Sequence, residues 1–245
     1  MKRTMIGTLA GALLLGGFLG PMIGASASSH KAAVTGYEPV LVPANFVAVI
    51  DNPYFPLPVG RTLIYKGIKD GVTQTDRVTV TSHTKVLEGI IATTISDIAT
   101  HHGRLLEKTR DWYAQDAQGN VWYLGEDTKA YLPNGTVDTA GSWKAGVNDG
   151  EPGIIMPANP RIPNGYRQEY LKGVAADTAW TVQRGGSVTV PYGRVTHILV
   201  SLEASAVEPG AYDQKVYAPG VGVVIERAIT KGLEVARLVK VIDLA

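Results

Sequence analysis

The chain has 245 residues, 45% of them hydrophobic, with 23 basic and 22 acidic residues and no cysteine. That length is enough for one domain with its own core. The absence of cysteine excludes disulfides, thiol catalysis and the lipid-bearing cysteine of a bacterial lipoprotein. The near balance of charge, with no basic run, argues against nucleic acid and against an anionic membrane surface as partners.

The chain opens on Met1-Lys2-Arg3, continues through an uncharged stretch rich in Leu, Ala and Gly over residues 5–18, and reaches Ala25-Ser26-Ala27. A basic start, an apolar middle and a small-residue exit predict a signal peptide over 1–27, cut after Ala27. Gly16, Gly17, Gly20 and Pro21 interrupt the apolar stretch, which is too short for the roughly 20 residues of a spanning helix. The expected mature chain is therefore secreted or periplasmic, without a transmembrane anchor. It has about 218 residues and a net charge of −1 once Lys2 and Arg3 are removed.

Residues 28–45 show little pattern and read as a flexible leader before a single β domain over 46–245. In Asp51-Asn52-Pro53-Tyr54-Phe55-Pro56-Leu57-Pro58, the prolines forbid a helix and hold the chain extended. The segment reads as an ordered loop that pins Tyr54 and Phe55 to the core. From Arg61 onward, short runs of Val, Ile, Thr and Tyr are cut by turn signals at regular intervals, the all-β signature. Predicted strands cover 62–66, 73–81, 90–99, 104–115, 121–126 and 129–132, then 167–171, 179–183, 187–190, 194–203, 213–217, 221–229 and 233–244. The short links predict an antiparallel meander, curved into a half-barrel or open barrel. Little helix is expected beyond the signal peptide; residues 174–178 leave room for one turn. Residues 141–165, with four prolines, Trp143 and Met156, read as one long loop that packs down as a lid.

Turn chemistry sets two registers. Asp116-Ala117-Gln118-Gly119 as a type I turn places Gln115 opposite Val121, Tyr113 opposite Tyr123, Trp112 opposite Leu124 and Arg110 opposite Glu126. Asn134-Gly135 places Leu132 opposite Val137. One parity of the first hairpin strand is then Glu107, Thr109, Asp111, Tyr113 and Gln115, all hydrogen-bonding groups. The other carries Leu106, Lys108, Arg110, Trp112 and Ala114. If the first row faces the concave side, it lines a polar, mildly acidic cavity with Tyr123; if it faces water, it is an ordinary solvated surface. The lysine and arginine of the second row favour the first arrangement, and Trp112 with Trp122 the second.

Other constellations have plain structural explanations. His101-His102 point to opposite sides of a strand end and do not form a metal pair. Asp116, Gln118 and Asn120 fail the calcium-loop pattern, since Val121 stands where glycine is required. No nucleophile elbow, zinc motif, phosphate loop or dinucleotide fingerprint is present, so no metal or cofactor is expected. His197 reads as a packing residue in a strand. Glu107 with Asp111, and Glu169 with Asp177, are carboxylate pairs available for acid–base chemistry. Arg167 and Glu169 share one face of their predicted strand, where they form an ion pair with a neighbour or clamp a polar ligand.

Several motifs together, DNPYFPL at 51–57, DWYAQD at 111–116, GNVWY at 119–123, GSW at 141–143, GIIM at 153–156, RQEY at 167–170 and YAPGVG at 217–222, resemble a family of uncharacterised bacterial secreted proteins. The likeness spans about residues 45–242 and implies no catalytic residue. The ending 188–193 and 217–224 is similar, more weakly, to periplasmic lipoprotein-carrier-type half-barrels, although no long helix is evident here to fill the concave side. The preferred expectation is a non-enzymatic extracytoplasmic protein that binds a small or lipid-like ligand within the curved sheet. Its site would comprise Glu107, Asp111, Tyr113 and Tyr123, covered by Trp143, with Arg167 or Glu169 nearby. A hydrolase or isomerase using the same carboxyl and tyrosine groups is the alternative, and a structural or partner-binding envelope protein a third.

Overall fold

The computed structural model describes residues 37–244, so the expected signal peptide and the first half of the leader lie outside the described residues. The regular structure among the described residues is strand, beside a single 3-10 turn at Pro43–Asn45. The mainly β expectation holds, and the meander curls further than a half-barrel into a nearly closed barrel.

The first half is β1 (Phe46–Val47), β2 (Thr62–Lys69), β3 (Val72–Leu87), β4 (Ile90–His101), β5 (Arg104–Asp116) and β6 (Val121–Tyr131). Three of its hairpins turn on two residues, Asp70-Gly71, Glu88-Gly89 and His102-Gly103. Both positions of each are left-handed, with φ near 48° on the first residue and 78–81° on the glycine. Such turns match the twist of the flanking strands, so long strands can follow one another directly. This is why β3 and β4 outrun their predicted lengths. It also explains the place of His102, which supplies a turn rather than a ligand.

β7 (Val137–Asp138), β8 (Trp143–Lys144) and β9 (Glu151–Met156) all pair with β6. Residues 141–165, expected as one loop, thus contribute two strands to the wall. The Asn134-Gly135 turn contains three residues, with Gly135 N–H donating to Leu132 O. Val137 therefore faces Tyr131, one residue short of the expected Leu132. β10 (Gly165–Arg167), β11 (Glu169–Tyr170) and β12 (Asp177–Arg184) follow, and residues 172–174 form a plain turn.

A small hairpin, β13 (Ser187–Val190) with β14 (Gly193–Thr196), leads to the closing meander of β15 (Leu199–Ser205), β16 (Tyr212–Ala218), β17 (Gly222–Ala228) and β18 (Glu234–Ile242). His197, left-handed at φ 54° and exposed, splits the predicted 194–203 strand between β14 and β15. β18 lies against β2. At the opposite side the chain itself bridges the two edges. β10 pairs with β12, β11 pairs with β9, and the Gln168 N–H between them donates to Asp177 O at 2.8 Å.

One end of the interior is apolar, built on Tyr65, Val80, Ile95, Tyr113, Leu199 and Leu238. The proline-rich 51–58 segment closes it as a plug. Phe55 meets the Tyr113 ring edge-on at 5.2 Å, and Gln115 clasps the plug, accepting from the N–H of Asp51 and Asn52 and donating to the Asp51 carboxylate at 2.7 Å. The other end is polar, and there the candidate site lies.

Candidate functional site

The row Glu107, Thr109, Asp111, Tyr113 and Gln115 points inward, every member at most 5% exposed. On the far side of the wall Arg110 is exposed, while Trp112 is buried under the ammonium groups of Lys85 and Lys144, 5.0 and 5.5 Å from its ring centre. Lysine stems laid over an outward tryptophan explain how a large aromatic residue sits on the outer face.

The expected register of this hairpin holds only near its turn. Gln115 faces Val121 and Tyr113 faces Tyr123, but Trp112 faces Gly125, Arg110 faces Asp127 and Asp111 faces Glu126. One extra residue is accommodated at Leu124, a β-bulge made possible by Gly125. At φ 132°, a Cβ on Gly125 would lie 2.5 Å from Trp143 O. The bulge re-aims everything beyond it. Glu126, expected outside with Arg110, is brought inside beside Asp111. Arg110 instead pairs with Asp127, at 3.5 Å.

Tyr123 is the hinge of the cluster. Its hydroxyl donates to Asp111 Oδ1 at 2.8 Å, and its ring stacks on Tyr113 at 4.9 Å and receives Trp143 edge-on at 5.4 Å. Trp143, 3% exposed, does stand over Tyr123, held there by the pairing of β8 with β6. Glu169, 1% exposed, turns into the same interior beside the Trp143 indole, and its carboxylate oxygens meet no other hydrogen-bond partner. Arg167 does not join it. The chain breaks pairing at Gln168 as it passes from β10 to β11, and the Arg167 guanidinium stays over the rings of Tyr37 and Tyr170, at 5.3 and 5.2 Å. The expectation that Arg167 and Glu169 share a face therefore fails.

Other strands supply acids that the sequence reading passed over. Asp76 comes from β3, Asp97 from β4, Glu203 from β15 and Glu226 from β17, and they join Asp177 of β12, already paired with Glu169 in the sequence reading. The legible signal was parity: Asp97 alternates with Ile95 and Ala99, and Glu226 with Val224, all buried. Two buried lysines answer them. Lys215 Nζ lies 2.8 Å from Glu203 and 3.9 Å from Glu226, and Lys69 Nζ lies 3.3 Å from Glu234.

So many carboxylates cannot all keep their charge in so little water. Burial pushes Asp111 up to about 7, against the hydrogen bond from Tyr123 and the charge of Lys215. It pushes Glu107 up to about 8 and Asp76 to about 7, and Asp177 to about 6. Asp97, Glu126, Glu169 and Glu226 stand well above the carboxylate range, first through burial and then through the charge of neighbouring acids, with Lys215 acting against the shift at Glu169 and Glu226. Burial alone would lower the pKa of Lys215, but Glu203 and Glu226 hold it well above the usual lysine value, so it stays an ammonium.

At the polar end, Gln168, Glu169, Asp177, Glu208, Asp213 and Lys215 are among the residues lining a cavity of about 20 Å³, space for one or two water-sized groups. A separate apolar cavity of about 50 Å³ lies beneath the plug, bounded by Phe55, Leu57, Leu63 and Tyr65. Among the described residues, no group of three or more histidine or acidic side chains is placed to hold a metal ion.

No family model and no curated protein matches the chain. Among solved structures, it is similar to a protein described as a candidate lipoprotein from Parabacteroides distasonis ATCC 8503. The two are 14% identical with a TM-score of 0.44, over 78% of this chain and 99% of that one. No helix among the described residues is long and apolar enough to cross a membrane.

Proposed function

We propose that the chain is an extracytoplasmic binding protein whose site is the acid-lined end of the barrel, and that this end takes a small ligand by a positively charged group. The observation that carries the reading is the cavity bounded by Glu169 and Glu226. Both are buried, and beyond the Trp143 indole beside Glu169 and the Lys215 ammonium beside Glu226 their carboxylate oxygens have no partner, while Lys215 already shows an ammonium seated between two of the acids. Leaving such oxygens unmet costs more than about 1–3 kcal/mol each, a cost that a bound cation or a captured proton removes. A cavity of about 20 Å³ fits an ammonium head with the rest of the ligand at the mouth. A lipid-like ligand has less support, because the apolar cavity of about 50 Å³ has room for only a few methylenes.

The test is calorimetric titration at neutral pH with methylammonium and putrescine. Saturable binding with proton release is expected, abolished in Glu169→Gln and retained in Lys108→Ala on the outer wall. Heat equal to that of dilution for both amines would remove the reading.

An enzymatic reading is favoured by one observation: Asp111, raised to about 7, holds a proton near neutral pH beside the hydroxyl of Tyr123. Turnover of a chromogenic ester or glycoside, lost in Asp111→Asn, would put a hydrolase in place of the binding protein.

A further inference from the structure

The near-neutral total charge hides a partial separation: about half of the acids line the interior, whereas among the described residues every lysine and arginine except Lys69 and Lys215 lies at the surface or partly exposed. Following the register across the wall, Lys240 lies beside Ile64, Ile64 beside Arg77, Arg77 beside Ile98, Ile98 beside Lys108 and Lys108 beside Lys129. These six residues form one row across β18, β2, β3, β4, β5 and β6. It spans about 24 Å at the usual strand spacing, and no acid interrupts it. Arg77, Lys129 and Lys240 are exposed and Lys108 is half-buried. None of the four makes an ion pair among the described residues.

Two pairings are costly to the fold. Lys108 stands directly opposite Lys129, and on the adjoining row Lys66 stands directly opposite Arg237. Like charges at facing positions of a sheet destabilise it. The outward face of the wall tolerates any polar residue, so folding alone gives no reason to set cation against cation.

We infer that this row is a docking track for a linear polyanion, a polymer with repeating phosphate groups. Charge complementarity carries the assignment, since each lysine and arginine presents donors to a phosphate. The shape of the wall selects a flexible chain over a bilayer. The row runs around a barrel, across six strands of a curved wall, so a plane touches only part of it. A flexible polymer follows the bend and meets every cation. This track does not depend on the interior site.

The test is fluorescence anisotropy with end-labelled inorganic polyphosphate across about 20 to 200 mM salt. Binding is expected to fall steeply with salt. The triple variant Arg77→Ala, Lys108→Ala, Lys129→Ala should weaken it at least about tenfold at low salt and lower the log–log salt slope by about two. An equal charge loss elsewhere, Lys172→Ala with Arg184→Ala and Arg194→Ala, should change affinity less than about threefold. All six positions are at the surface, and unchanged circular dichroism confirms folding. Equal losses in the two triple variants would overturn the track in favour of diffuse attraction. Absence of binding at low salt would also overturn it, as would tighter binding to phosphatidylglycerol vesicles than to the polymer.

Discussion

Asp111 shows at single-residue scale what the barrel interior demands. It is fully buried, accepts one hydrogen bond from Tyr123, and its second oxygen has no partner. An amide keeps the acceptor and loses the charge. Asp111→Asn is therefore expected to stabilise the protein at pH 8, by about 1–4 kcal/mol if it behaves as other buried charges do. The gain should vanish at pH 4, where Asp111 is protonated in any case. Urea midpoints at the two pH values check this, and a loss of stability at both would show that the carboxylate is needed in its charged form. Trp143 works by volume instead. Its ring is 3% exposed and meets Tyr123 edge-on, so Trp143→Ala should cost about 3–5 kcal/mol with an unchanged urea m-value.

Among the elements, the β5–β6 hairpin decides the site. Its turn is legible from Asp116 to Gly119, and the register follows for three pairs. The bulge at Leu124 then shifts every later pair and carries Glu126 inside. Gly125→Ala would press a Cβ against the backbone of Trp143 and Lys144, at 2.5 and 2.8 Å, in a left-handed conformation. A loss of at least about 1–3 kcal/mol is expected in thermal or urea unfolding. Arg110→Ala on the same strand is the contrast. Its ion pair with Asp127 is 3.5 Å long and largely exposed, so the change should stay within about 0.5 kcal/mol.

Taken whole, the barrel raises the pKa of the acids it buries. Asp76, Glu107, Asp111 and Asp177 hold their protons in the folded chain up to about 6–8, whereas in the unfolded chain they lose them near 4. The folded state binds more protons over that window, so stability falls as pH rises from about 4 through about 8. The expected result is a Tm at pH 5 about 5 °C or more above that at pH 8, since 1 kcal/mol moves a chain of this size by about 2–4 °C. A Tm that rises with pH over that range would mean that the interior acids are ionised and paired in solution. A saturating cationic ligand should flatten the slope by replacing the protons.

The sequence by itself determined that the domain is β, since β-branched runs and turn residues are local signals. It also determined the extended, ordered loop at 51–58 and the hydrogen-bonding row on β5, because proline restriction and strand alternation depend only on neighbouring residues; that the loop plugs one end of the barrel was decided by the tertiary structure. It left open which face of that row is concave. Curvature is a property of the closed wall, fixed where β18 meets β2 and where the chain at Gln168 crosses between the edges. The remaining acids were hidden for the same reason. Asp76, Asp97, Glu203 and Glu226 each read as one acid in one strand, and only closure turns four strands toward a common axis. Arg167 illustrates the converse, because its parity with Glu169 held in the sequence until the chain changed partners between them.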